Sequence, residues 1–271
     1  MTREAWLSEH PFLQALAHFH EQIESATASL PISGACAPNW DDYKEDYLAG
    51  VPLLMSLVPG IDYEVAGTVV AALVDRIASL TLPEGLAQEC RALDAELKSG
   101  SDTRRRAVAW LLGAGEFASA SPGMLRCLGW KALAWHLSPI AAAFGNWRDE
   151  ALWMRNYCPT CGAPPAMAQL VGTDPGRLRL LSCGCCGTRW RYRRTGCPYC
   201  ETHDDDRLAV VTVEGQGRLR IDYCASCSGY LKTYEGEGSE RLLLADWTSL
   251  HLDILARDRG LKRAAGSLYE F

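Results

Sequence analysis

The chain has 271 residues, 48% of them hydrophobic and 22% charged, with a formal net charge of −6. That composition is globular and excludes a disordered or fibrous protein. No run of about 18 uncharged apolar residues occurs, so no membrane insertion is expected. An acidic pI near 5.6 speaks against a general attraction to nucleic acid phosphates, and no nucleic acid partner is expected.

The opening "MTREAWLSEHPF" lacks the basic region, apolar stretch and small-residue cleavage site of an export signal, so a cytoplasmic location is expected. Residues 1–155 hold 12 Lys/Arg against 19 Asp/Glu, a balance of −7. Apolar residues there recur at spacings of three and four. The periodicity predicts helices over 12–26, 41–58, 63–80, 84–100 and 101–119, then two over 121–154 broken near Ser138-Pro139. Asp41 and Asp42 suit a helix N-terminus, Ser101 or Asp102 a cap, and Gly100 a C-terminal stop. Six or seven helices packed as a bundle follow.

From Tyr157 the texture changes. Short β-rich runs bounded by turn residues appear at 177–183, 188–194, 207–213, 218–224 and 230–235. From 243 the pattern is helical again. The expected fold class is α+β: an N-terminal all-α bundle over 1–155, two cysteine-rich ribbons over 156–195 and 196–240, and a C-terminal helix and tail over 241–271.

Nine of the 12 cysteines fall between Cys158 and Cys227. Cys36, Cys90 and Cys127 stand alone and read as small buried apolar residues. A reducing compartment argues against disulfides. Four C-x-x-C pairs occur, at 158/161, 183/186, 197/200 and 224/227. "GRLRLLSCGCCG" (176–187) matches "GRLRIDYCASCS" (217–228), and "CPTCG" matches "CPYCE". The region is therefore an internal duplication, with 21 and 23 residues between the pairs of each copy. This spacing points to two four-thiolate metal sites: Cys158, Cys161, Cys183 and Cys186, then Cys197, Cys200, Cys224 and Cys227. Two intervening residues let a tight turn aim both sulfurs at one ion. Soft thiolates in a tetrahedron admit zinc or iron, so two ions are expected in closed sites that leave no open position for catalysis. Cys185 falls opposite Ser226 in the other copy and is the spare thiol.

Six arginines lie between Thr173 and Gly196 against Asp174 alone. On a strand, Arg189, Arg191 and Arg193 share one face, with Trp190 and Tyr192 on the other. This is either a solvated or internally paired face, or a docking surface for an acidic partner or a peptide. His203 lies just beyond Cys200, but four thiols already complete that site. Nucleotide-binding glycine motifs, HExxH and GxSxG are absent, and no enzyme is expected.

The stretches "NYCPTCGAPPAM" (156–167), "LSCGCCGTRWRYRRTGCPYC" (181–200) and "YCASCSGYLKTY" (223–234) resemble the FdhE family of formate dehydrogenase accessory proteins. "ADWTSLHLDILARDRG" (245–260) resembles it more weakly, and of the N-terminal half only its helical character and "GWKALAWHL" (129–137) do so. Trp247 departs from the family's usual second acidic residue after Asp246, and "AAGSLYEF" lacks its usual Asn-Pro. The resemblance implies a helical domain, two rubredoxin-like knuckle units and a closing helix. It implies a non-catalytic maturation factor that binds the catalytic subunit of a molybdenum- or tungsten-dependent formate dehydrogenase, with the eight paired cysteines holding iron or zinc. Homodimerisation is left open. The rival readings are a rubredoxin-like electron-transfer protein and, further off, a nucleic-acid-binding zinc-ribbon protein.

Overall fold

Nine α-helices occupy the described residues before 148 in this computed structural model, which describes residues 1–32, 38–57, 60–173, 176–215 and 217–267. They are α1 (Arg3–Glu9), α2 (Gln14–Ala28), α3 (Trp40–Ala49), α4 (Leu53–Leu57), α5 (Tyr63–Ala78), α6 (Glu84–Lys98), α7 (Ser101–Leu111), α8 (Pro122–His136) and α9 (Ser138–Trp147). The expected helix over 41–58 is two: Gly50 takes a left-handed φ of 89° and caps α3, and Pro52 cannot donate into a continuing turn. Cys36, Pro59, Asp174 and the last four residues lie outside the described residues.

The chain gathers into two compact units, residues 18–148 and residues 1–17 with the chain from 149 onward. In the first unit α5 is central and packs against α6, α7 and α8. Its N-terminus is fixed by Asp62, whose carboxylate accepts from the amides of Glu64 and Val65. Val70, Leu73, Val74 and Ile77 of α5 are buried, as are Leu93, Val108, Leu125 and Leu128 on the helices it packs against. Trp40, Tyr43 and Tyr47 of α3 interlock with Phe144 and Trp147 of α9. Cys90 is buried among apolar groups, which pushes its thiol up to about 11, whereas Cys127 is half-buried.

The second unit is built on one continuous sheet. Its strands are β1 (Pro165–Val171), β2 (Leu178–Cys183), β3 (Arg189–Tyr192), β4 (Leu208–Thr212), β5 (Leu219–Cys224), β6 (Gly229–Glu235) and the short β7 (Lys262–Arg263). The order is β3-β2-β1-β6-β5-β4, with β7 beside β6. Each ribbon copy is an antiparallel meander, and the copies join where β1 runs parallel to β6. They are thus repeated side by side in the same sense, which places both sets of cysteines at one end of the sheet. One face, carrying Met167, Ile221, Tyr230 and Tyr234, packs on Trp6, Leu13, Leu243, Leu252 and Ala256. The expected single C-terminal helix is broken into α10 (Glu240–Leu243), a 3-10 turn over Asp246–Ser249 and α11 (Leu250–Asp258). The class is α+β, as the sequence predicts, with helices at both ends.

Candidate metal centres

Each knuckle is a tight turn closed by backbone hydrogen bonds. The amide of Cys158 donates to the Ala163 carbonyl at 2.9 Å, and that of Cys183 to Thr188 at 3.0 Å. In the second copy Cys197 donates to Thr202 at 3.0 Å. The turns need a left-handed residue just after the second cysteine, which costs a residue with a Cβ about 1–2 kcal/mol. The first copy meets this with Gly162 and Gly187, at φ 76° and 74°; the second uses Glu201 and Ser228, at 58° and 59°. Amides also point at sulfur: Cys185 donates to Cys183 Sγ at 3.4 Å, Tyr199 to Cys197 Sγ at 3.4 Å and Gly229 to Cys227 Sγ at 3.3 Å.

These turns bring the sulfurs together in the two groups of four read from the spacing, each group lying within 4.8 Å. Across the knuckles, Cys158 Sγ is 3.5 Å from Cys186 Sγ and Cys161 Sγ is 3.4 Å from Cys183 Sγ. In the second group Cys197–Cys227 and Cys200–Cys224 are both 3.7 Å apart. A disulfide would require about 2.05 Å. A tetrahedron with metal–sulfur bonds of about 2.3 Å has edges of about 3.8 Å, so both groups can hold an ion. Sulfurs this close cannot all ionise without one. Burial and the neighbouring sulfurs push Cys158 well above the ordinary thiol range, and burial takes Cys197 to about 12. Hydrogen bonds from its partners, Cys158 first, hold Cys183 well below that range. At Cys224 burial acts upward, but bonds from the amides of Cys227 and Ser226 and from the partner thiols bring it to about 7. His203 is outside both groups; its Nε2 lies 2.6 Å from the Arg193 guanidinium.

Arg189 and Arg191 share the exposed side of β3, while Trp190 and Tyr192 are buried. Arg193 lies past the end of that strand and bonds His203. All three are exposed, and Arg189 donates to Gln169 Oε1 at 2.5 Å.

A buried charge network escaped the sequence reading. Lys232, on the inner face of β6, donates to Asp246 Oδ1 at 2.7 Å and Asp253 Oδ2 at 2.6 Å. Arg263 reaches the same carboxylates at 2.7 and 3.1 Å. Tyr230 donates to Asp253 and Ser267 to Asp246. Two acids and two bases balance, as burial demands. Burial would raise Asp246, but Lys232 and Arg263 outweigh it and hold the carboxyl well below its usual range. The signal was present in "ADWTSLHLDILARDRG", where Asp246 and Asp253 stand seven apart, two helical turns.

A "Protein FdhE homolog" of Pseudomonas aeruginosa is 31% identical over 191 residues, which is 64% of this chain and 58% of that protein. A "Protein FdhE homolog" of Aquifex aeolicus is 31% identical over 130 residues, 46% of each chain. "Protein FdhE" of Salmonella dublin is 30% identical over 178 residues, 64% of this chain and 57% of that one. The chain thus spans less than two thirds of the length of these relatives. The crystal structure of the FdhE protein from Pseudomonas aeruginosa shares the fold, with a TM-score of 0.63 and 21% identity over 95% of this chain and 88% of that one. No family model matches the chain.

Proposed function

From its homology to FdhE proteins, we propose that this chain is a formate dehydrogenase accessory protein, a non-enzymatic factor that holds the catalytic subunit of a molybdenum- or tungsten-dependent enzyme during assembly in the cytoplasm. The observation that carries the reading is the duplicated ribbon, which sets two four-sulfur groups at one end of a single sheet, in a chain related to proteins of that name. Closed thiolate shells suit a structural ion with no catalytic position. Cys158, Cys161, Cys183 and Cys186 would hold one ion, and Cys197, Cys200, Cys224 and Cys227 the other, iron or zinc. Each ion would supply a cross-link between the knuckles that flank a strand pair.

The client contact we assign to the exposed side of β3. Arg191 would carry most of it, because Arg189 and Arg193 already have partners inside the chain. A second reading, electron transfer in rubredoxin style, is favoured by the exposure of Cys200 at the edge of the second group. It would require iron with a reversible potential and a partner reductase.

Affinity capture of the tagged chain from cells grown on formate, with metal analysis of the same sample, tests the proposal. The expected result is co-purification of a molybdo- or tungsto-enzyme catalytic subunit with two ions per chain. Recovery of no such subunit would overturn it. Arg189→Glu with Arg191→Glu should weaken capture at least tenfold while leaving both ions bound; capture at full strength would remove the arginine surface.

A further inference from the structure

The sheet face turned away from α11 carries a cavity of about 260 Å3. Its floor is Leu170 of β1, Leu208 and Val210 of β4 and Leu231 of β6, and the linker at 194–199 forms a wall. Two arginines at equivalent positions of the duplicated "GRLR" reach it, Arg179 on β2 and Arg220 on β5. The duplication supplies an internal comparison between them.

Arg220 is neutralised. It bonds Asp222 at 2.7 Å and also pairs with Glu235, whose other oxygen holds Arg177 at 3.1 Å. Two carboxylates therefore match two guanidinium groups. Arg179 makes no ion pair of its own: the acid whose charge reaches it is Asp222, which is already bonded to Arg220. It is 5% exposed, its Nη1 donates to the Gly196 carbonyl at 3.0 Å, and its buried Nε has no acceptor. Position 181, which corresponds to Asp222 in the other copy, is Leu181. A buried cation that has to share its acid with another arginine is incompletely compensated, and such a group lining a largely apolar cavity is the usual anchor of a polar ligand head.

We propose that this cavity binds a small organic monocarboxylate, its carboxylate on Arg179 and its apolar body on Leu170, Leu208 and Leu231. Guanidinium suits a carboxylate through paired, charge-assisted hydrogen bonds. A single negative charge is specified because the lining sets the guanidinium groups of Arg179, Arg194 and Arg220 against the carboxylates of Asp205 and Asp222, an excess of one positive charge. The volume fits a ligand of benzoate size and excludes a nucleotide.

The test uses the full, metal-loaded chain with benzoate, acetate and inorganic phosphate as probes, followed by amide NMR shifts and calorimetry. Benzoate should bind saturably and shift amides of β2, β5 and 194–199, acetate should bind at least tenfold more weakly, and phosphate should not bind. Arg179→Gln should weaken benzoate at least tenfold with the metal content unchanged. Val210→Trp, which fills the cavity from its open side, should abolish binding whether or not the arginine variant folds. Absence of saturable benzoate binding would overturn the proposal, as would equal affinity in a folded Arg179→Gln chain. Phosphate binding as strong as benzoate would overturn the choice of a monocarboxylate.

Discussion

Cys185 is adjacent to a proposed ligand, is half-buried and contributes its backbone amide to Cys183 Sγ. Its own sulfur is outside the group of four, and the second copy has Ser226 in its place. A serine keeps the amide and the turn. Cys185→Ser should therefore retain two ions per chain by elemental analysis, whereas Cys183→Ser should retain one; loss of an ion from the Cys185 variant would break the assignment. His251 on α11 argues a different point at the same scale. Both of its ring nitrogens are buried without a partner, and it stacks on His10 at 5.5 Å. Burial first, then the charges of His10 and Lys232, lower it from 6.5 to about 4. The folded state thus resists a proton that the unfolded chain accepts below pH 6.5, so this residue makes stability fall as pH drops from 6.5 to 4, with no effect above that window. His251→Phe should flatten the dependence of melting temperature on pH across that window; an unchanged slope would mean the ring titrates freely.

Among the helical elements, Gly67 and Gly129 separate two kinds of close approach. A Cβ on Gly67 of α5 would meet Arg104 Cβ at 2.9 Å and Arg104 backbone atoms at 3.2 Å, whereas on Gly129 of α8 it would meet the end of the Leu111 side chain. Alanine gains about 1 kcal/mol of helix propensity at either site, and overpacking costs about 1–3 kcal/mol where backbone must move. Gly67→Ala should lower stability by about 1 kcal/mol in urea unfolding, while Gly129→Ala should be near neutral because leucine can turn aside. The same logic of packing marks what the sequence could and could not reveal about elements. β3 was legible because its alternation of exposed Arg189 and Arg191 with buried Trp190 and Tyr192 is the strand signature itself. β1 was not, because six of its seven residues are buried and a strand covered on both faces carries no alternation. Lys232 sits in the equally buried β6, where composition reads as a surface residue and only the distant Asp246 and Asp253 explain it. The sulfur groups were legible because a short turn fixes their geometry locally, and the cavity was not, because it needs strands from both copies.

For the whole molecule, the two units draw their stability from different sources. Residues 18–148 enclose an apolar core around α5, and no cysteine group of metal-binding geometry occurs among their described residues. The sheet unit is built from strands of two to seven residues, and its cysteines precede β1 and β4 and end β2 and β5. An ion in each group would tie those strand ends together, leaving β3 and β6 to pair onto strands already held. Binding of a structural zinc contributes roughly 10–16 kcal/mol, comparable with the entire stability of an ordinary domain, about 5–15 kcal/mol. Stripping both ions with a strong chelator under reducing conditions should therefore unfold the sheet while the helices persist. Hydrogen exchange should then show β1, β2, β5 and β6 losing protection and α5, α6, α7 and α8 keeping theirs, with most of the 222 nm ellipticity retained. Returning zinc should restore the strands with two ions per chain. Strands that stay protected in the metal-free chain would show that the face packed on Trp6, Trp247 and Leu252 holds the sheet alone, and would remove the structural role assigned to the ions.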